Sequence, residues 1–270
     1  MSTALQKVSN FFVFHYYSLT EWTFPPGMPH TTACKMISGT YEPEVSNAVK
    51  SALSGGSVFI DIGANVGYFS KLAAPFVGAE GTIYGVEADH QNFSALAENT
   101  TEYQNVVPIH LALSDGCSIL ELHRSSHSAC HSLADTGNYM TEDISRVPAI
   151  TLDFLWKNYL DSQPIDLLKI DVEGAEMNVL NGGNELFGSG MIDTMIVEYC
   201  PEIMKHADID INSFYHKIAS HFEVKVLEEK HRVVDGRGDI CTQSDFHMLT
   251  EHLLEFGAAE NVNLLCNLSS

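Results

Sequence analysis

Positive charge is scarce in this chain: 14 Lys and Arg stand against 35 Asp and Glu in 270 residues, a formal net charge of −21 with histidine neutral. Binding to a nucleic-acid backbone draws much of its affinity from clustered Lys and Arg, and here the basic residues are scattered, so a nucleic-acid partner is not expected. An anionic membrane surface is disfavoured on the same ground. Long hydrophobic runs are also missing; no segment approaches the roughly 20 apolar residues of a membrane-spanning helix. The apolar patch from Phe11 to Tyr17 is short, interrupted by His15 and followed by no small-residue cleavage site, so it reads as a docking segment rather than a secretion signal. None of the six cysteines forms a CxxC pair, which points to reduced thiols and a cytoplasmic protein. Internal repeats and low-complexity tracts are absent. What remains is 45% apolar and 18% charged residues, enough for a sizeable core in one large α/β domain.

From Ser57 onward, short apolar runs bounded by Gly, Asp or Glu alternate with helical patterns, the rhythm of βαβ units and a parallel sheet. Strands are predicted at 57–62, 82–86, 107–111, 165–170, 192–197 and 222–227, with a final one at Phe246 to Leu249 closing a long hairpin. Helices are predicted to begin near Ser70, Asn92, Ile150 and Ala175. The alternation from Ser118 to Leu133 reads as an inserted hairpin. The first 45 residues carry Pro25, Pro26 and Pro29 and no such rhythm, and are expected to cap the sheet. The expected organisation is therefore a cap at 1–45, a doubly wound, mostly parallel, seven-stranded domain at 46–250 and a tail at 251–270.

The strongest local signal is Val58-Phe-Ile-Asp-Ile-Gly-Ala-Asn-Val-Gly67, a buried strand running into a tight turn with Gly63 and Gly67. Glycine serves where the chain turns sharply or where a Cβ would block a ligand, and the helix that follows offers unpaired N–H groups. This is not the GxGxxG of dinucleotide folds, because Asn65 holds the place of the middle glycine; Asn tolerates the left-handed conformation, so the turn survives. Asp61 would repel a pyrophosphate but suits a cation such as the ammonium of an amino acid. Glu87 ends the next strand, where an acid can bind both ribose hydroxyls. An aminoacyl group and a ribose on one ligand describe S-adenosylmethionine (SAM). Against this, a glycine turn can be purely structural, and a strand-end acid can be a helix cap. Ser114 and Asp115, after the third strand, are candidates for the adenine, with a solvated Ser-Asp-Gly turn as the alternative.

The second signal is Lys169-Ile-Asp-Val-Glu-Gly-Ala-Glu176. In an extended segment Lys169, Asp171 and Glu173 share one side, so two carboxylates and an ammonium face one cleft. Asp171 is the candidate proton acceptor, with Lys169 to orient it; Glu173 and Glu176 equally suit the N-terminus of the helix that follows. Glu198 ends the neighbouring strand, and with Asp171 it could hold a substrate or, as the less favoured reading, a divalent metal. His123, His127 and His131 recur every four residues beside Cys130, but strand or loop there would not bring them together, so no metal site is assigned to them.

Phe59-Ile-Asp-Ile-Gly-Ala-Asn-Val-Gly67, Glu87, Leu113-Ser-Asp115, Thr151-Leu-Asp153 and Lys169-Ile-Asp-Val-Glu-Gly-Ala-Glu176 together closely resemble the FkbM-type SAM-dependent methyltransferases, over about Tyr41 to Glu228. The resemblance implies a class I methyltransferase sheet of Rossmann-like type. It puts Asp61, Gly63, Asn65 and Gly67 around the methionine part of SAM, Glu87 on the ribose, and Ser114 and Asp115 at the adenine. Gly39-x-Tyr41-Glu42 resembles a segment that precedes the first strand in this family, which adds Glu42 to the cofactor set. Asp171 falls where the family's strand-end acid faces the reactive methyl.

The function expected is O-methylation of a small-molecule hydroxyl or carboxylate, with S-adenosylhomocysteine as by-product, Asp171 as base and Lys169 or Glu198 assisting. Two alternatives stand beside it: a SAM-consuming enzyme on the same fold that transfers something other than a methyl group, and a SAM-binding protein without transfer activity.

Overall fold

The computed structural model describes residues 21–125, 140–233, 236–256 and 260–269. Expectations for Phe11 to Tyr17 and for His127, Cys130 and His131 fall outside them.

The core is an α/β sandwich around an eight-stranded sheet. Its strands are β1 (Val58–Ile62), β2 (Thr82–Glu87), β3 (Val106–His110), β7 (Ile165–Ile170), β8 (Ile192–Tyr199), β9 (Phe222–Val226), β10 (Asp239–Ile240) and β11 (Val262–Leu268), in the order β10-β9-β11-β8-β7-β1-β2-β3. Pairing is parallel from β3 through β8, while β11 runs antiparallel between β8 and β9. The chain winds outward from β1 to β3 and returns to the other side of β1 as β7, so the β1/β7 boundary is the switch point at whose carboxyl edge ligands bind in such sheets. The doubly wound, mostly parallel sheet expected from the sequence is present, with one strand more than the seven expected; two-residue β10 sits on the edge.

Connections follow local chemistry. Gly67, at φ 85°, starts α3 (Tyr68–Val77), after α1 (His30–Ile37) and α2 (Pro43–Ala52). Asp89 caps α4 (His90–Asn99) by accepting from the N–H groups of Gln91 and Asn92 at 2.8 and 3.1 Å. Thr151 caps α5 (Leu152–Tyr159) at 3.0 Å, and Asp153 accepts from the N–H groups of Glu185 and Leu186 at the start of α7 (Asn184–Ser189). The Thr151-Leu-Asp153 motif thus works as two helix caps. Glu176–Asn181 forms α6, Pro201–His206 α8 and Ile211–Ala219 α9. The inserted hairpin is present, as β5 (Ser118–Ser125) antiparallel to β6 (Met140–Ile150), with β4 (Ala112–Leu113) on the other side of β6. Its return strand lies beyond Leu133 and ends at Ile150, so the helix expected from Ile150 begins after the Thr151 cap.

Two expectations at the C-terminal end are corrected. Phe246 to Leu249 is not a strand but part of α10 (Gln243–Phe256): Phe246, Leu249 and Leu253, at helical spacing, are all buried. The expected tail contains β11, whose Val262, Leu264 and Cys266 are fully buried between β8 and β9.

The polar site follows from strand alternation. One face of the sheet carries Ile83, Phe59, Leu167 and Ile196, packed beneath α1, α2 and α3 through Met36, Val49 and Phe69. The opposite face carries Val86, Ile60, Ile62, Leu168, Ile170 and Val197, packed against α5, α6, α9 and α10. Along the first face, each strand exchanges its apolar residue for a polar one as it reaches the carboxyl edge: Asp61 on β1, Glu87 on β2, Lys169 on β7 and Glu198 on β8. Asp61 is in register with Lys169 and with Gly85.

Candidate active site

The carboxyl edge opens into a cavity lined from β1 and β2 by Gly63, Ala64, Asn65 and Glu87, from β7 and β8 by Lys169, Asp171, Glu173 and Glu198, and from the segment before α2 by Tyr41 and Glu42. Leu111 to Leu113 and Leu122 make an apolar wall beside the Glu87 end. Seven of the eleven residues singled out in the sequence line this space, Asp61 is buried beneath it, and the other three stand back from it.

At the first turn, Gly63 at φ 76° and Ala64 donate their N–H groups to the carbonyl of Val86 at 2.9 and 3.0 Å. Asn65, at φ 52°, donates its N–H to Glu87 Oε2 at 2.8 Å, and Glu87 Oε1 accepts from the N–H of Asp89 at 2.7 Å. Burial pushes the Glu87 carboxyl up to about 7, although these backbone donors favour its ionised form. Asp61 lies beneath the turn, 0% exposed, with Oδ2 accepting from Ser70 Oγ at 2.7 Å. Burial raises its pKa against the pull of Lys169 and Ser70. Gly67 faces α4 instead of the cavity, since a Cβ there would come within 2.7 Å of Leu96 Cδ1. Ser114 is buried with its hydroxyl toward Asp115 at 3.3 Å, and Asp115 is exposed; neither is among the residues lining the cavity, which their neighbours Ala112 and Leu113 do line.

At the second turn, Lys169, 1% exposed, donates from Nζ to Asp171 Oδ2 at 2.7 Å and lies 4.8 Å above the centre of the Phe69 ring. Burial alone would lower its pKa, but Asp171, Asp61 and Glu42 together hold it well above the ordinary lysine value. Glu173 sits at φ 52°, and Glu42 at φ 39° as it leads into α2. Burial, and then the charge of Asp171, raise the carboxyl pKa of Glu42, Glu173 and Glu198. Glu176 is buried and turns back on its own loop, accepting from the N–H groups of Gly174 at 3.1 Å and Val172 at 3.2 Å. Its place is therefore to shape the turn, and burial lifts its carboxyl to about 7 as well.

Sequence reasoning missed Tyr41, Tyr68, Phe69 and Asn261, all of which line the cavity. Tyr68 and Phe69 directly follow the glycine turn and were findable as the first residues of the helix. Asn261, which donates to Glu198 Oε1, comes from the segment read as a tail.

The buried acids make a prediction about stability. Unfolded glutamate ionises near 4.5, whereas folded Glu87 and Glu176 keep their protons to about 7, so the folded state binds more protons in between. Stability therefore falls as pH rises through that window, by about 2 kcal/mol per group between pH 5.5 and 8. Buried His231, its pKa lowered by desolvation, offsets part of this below its ordinary titration range. The ligand-free protein is expected to melt about 5 °C higher at pH 5.5 than at pH 8. A melting temperature that is flat or rises with pH in calorimetry would contradict the raised values.

A doubly wound sheet with this strand order, antiparallel β11 and an acid-lined cleft at the β1/β7 switch point defines a class I, Rossmann-like methyltransferase fold. The chain belongs to the FkbM methyltransferase family: the model of the methyltransferase FkbM domain matches residues 61–219, more than half of its length. Membership brings SAM as methyl donor. Similar solved structures include a protein assigned as an rRNA methylase from Clostridium thermocellum, at 8% identity and TM-score 0.48 over 84% of this chain and 96% of that one. Methyltransferase FkbM from Methylobacillus flagellatus KT aligns at 11% identity and TM-score 0.47 over 96% of this chain and 59% of that one. A SAM-dependent methyltransferase from Aquifex aeolicus aligns at 10% identity and TM-score 0.43 over 92% and 100%. No curated protein sequence matches the chain. No helix among the described residues is long and apolar enough to cross a membrane.

SAM carries a sulfonium and an ammonium, and the cavity suits it. Carboxyl groups outnumber Lys169 around the space, and Asn65 Oδ1, shut off from solvent on its wall, has no hydrogen-bond partner. Unsatisfied buried acceptors on a cavity wall are what a ligand with N–H and O–H donors would satisfy.

Proposed function

We propose that the protein transfers the methyl group of SAM to an oxygen of a small-molecule acceptor, a hydroxyl or a carboxylate. The observation that carries this reading is the division of one cavity into a Gly63–Asn65–Glu87 half, suited to SAM, and a half lined by Asp171, Glu173, Glu198 and Lys169. In the first half, Gly63 and Asn65 face the methionine part and Glu87 the ribose, with buried Asp61 favouring the amino-acid cation from below. Bound SAM supplies a methyl already activated by its sulfonium, and S-adenosylhomocysteine is left after transfer. The chain's own work is to align the acceptor, exclude water and take one proton. Asp171 accepts that proton when the acceptor is a hydroxyl, while Lys169 fixes the carboxylate at 2.7 Å and Glu198 lies beside it. A carboxylate acceptor needs no base.

The net charge of −21 supports a small-molecule acceptor over a nucleic acid. The deciding experiment is calorimetric titration with SAM, S-adenosylhomocysteine and NAD, followed by an acceptor screen with labelled SAM that includes RNA. Micromolar binding of both adenosyl ligands, weakened at least about tenfold in Glu87→Ala, is expected. Absence of binding would remove the reading, and label in RNA would move the acceptor to another class. With a hydroxyl acceptor, Asp171→Asn is expected to lower kcat by about 100-fold or more while SAM affinity changes little. Unchanged turnover would show that Asp171 is not the base.

A further inference from the structure

The acceptor half of the cavity holds more carboxyl groups than its one ammonium can pair with. Glu42, Asp171, Glu173 and Glu198 line it, and Lys169 is the only basic residue among the described residues that do so. That ammonium is engaged, bonded to Asp171 Oδ2 and set over the Phe69 ring.

The arrangement of the acids is specific. Asp171, Glu173 and Glu198 each place one carboxylate oxygen within 4.8 Å of the others. Oxygens bound to one ion at the Mg²⁺ or Ca²⁺ distances of about 2.0–2.6 Å lie roughly 3–5 Å apart, so three oxygens spaced in this way can share a single ion. Asn261 holds the other side of the arrangement by donating to Glu198 Oε1.

A separate observation points to a missing cation. Glu42 Oε2, on a different element of the cavity wall, is shut off from solvent and has no hydrogen-bond partner. Buried unpartnered carboxylate oxygens are costly unless a positive charge faces them. An organic ammonium would duplicate what Lys169 already supplies and leave most of the charge unbalanced. A divalent ion answers it better, and an all-carboxylate donor set selects a hard cation.

We propose that Asp171, Glu173 and Glu198 bind a divalent cation of the Mg²⁺, Mn²⁺ or Ca²⁺ class, with Glu42 supplying further negative charge across the cavity. Ion binding stands on these residues alone. The consequence for catalysis rests on the proposed methyl transfer: an ion held by these three residues would supply a Lewis acid beside the acceptor space, able to orient an acceptor oxygen there.

The test uses the metal-stripped full chain and Mn²⁺ alone, followed by electron paramagnetic resonance. One Mn²⁺ per chain with a dissociation constant near or below roughly 100 μM is expected, displaced by Ca²⁺ or Mg²⁺. Glu173→Gln and Glu198→Gln are each expected to weaken it at least tenfold. SAM affinity, titrated on the same samples, reports folding and tests the transferase reading independently. If Glu198→Gln does not fold, the wild-type titration and Glu173→Gln decide. No Mn²⁺ binding up to about 1 mM in the wild type would overturn the proposal. Undiminished binding in folded Glu173→Gln would do so too, as would displacement of Mn²⁺ by equimolar ethylammonium, which would make this the seat of an amine.

Discussion

Gly63→Ala is expected to cost more than about 4 kcal/mol and to lower the melting temperature by about 10 °C or more. The Cβ would lie 1.7 Å from the carbonyl oxygen of Asp171, inside the backbone of the neighbouring strand end, and φ of +76° adds the left-handed strain of a non-glycine residue. No rotamer change relieves such a clash. Asp171 donates its own N–H to the Ile62 carbonyl at 3.0 Å, so moving its peptide breaks the last link between β1 and β7 and displaces the Asp171 carboxylate as well. Gly67→Ala is the natural control. Its Cβ meets the flexible end of Leu96 at 2.7 Å, so a loss of about 1–2 kcal/mol is expected. Thermal melts of the two variants check both values. A Gly63→Ala protein melting within 3 °C of wild type would mean that the two turns are not packed in this way.

That close approach explains which parts of the site were legible in the sequence. Both signature turns follow strands buried on two faces, so their apolar runs stood out, and strand alternation placed Lys169 and Asp171 on one side. Side-by-side parallel pairing then brought Asp61 to Lys169, which was readable once the strands were assumed adjacent. Other contributions depend on distant chain. Asn261 reaches Glu198 only because β11 inserts between β8 and β9, and nothing local distinguishes an inserted antiparallel strand from a tail. Phe246 to Leu249 was too short a window to separate two periods; Leu253, four residues further on, carries the helical one. Ser114 and Asp115 have the residue types of a binding loop, yet the Ser114 N–H is tied to the Ile150 carbonyl at the base of the hairpin, and the cavity is lined by the apolar residues just before them. Glu176 carries the same lesson: an acid near a helix start, beside a functional one, serves the backbone N–H groups of its own turn.

Lys169→Met is expected to destabilise the protein by about 3–5 kcal/mol at pH 8, through the charge it leaves behind. Methionine fills nearly the same space on the Phe69 ring, so little packing is lost. What disappears is the ammonium that faces Asp171, Asp61 and Glu42, and the desolvated carboxylates then have no compensating cation on the neighbouring strand. They can escape only by binding protons. The loss should therefore shrink as pH falls, because the folded variant takes up protons that the unfolded chain, with its ordinary carboxylates, does not. Urea unfolding of wild type and variant at pH 8 and pH 5.5 measures this directly. The double variant Lys169→Met with Asp171→Asn should recover part of the deficit at pH 8, since it removes one stranded charge with its partner. Equal losses at the two pH values would assign the role of Lys169 to packing, and the site would then tolerate its acids without a buried ammonium. A proportionate recovery would show that the lysine is the charge on which the whole acidic edge of the sheet depends.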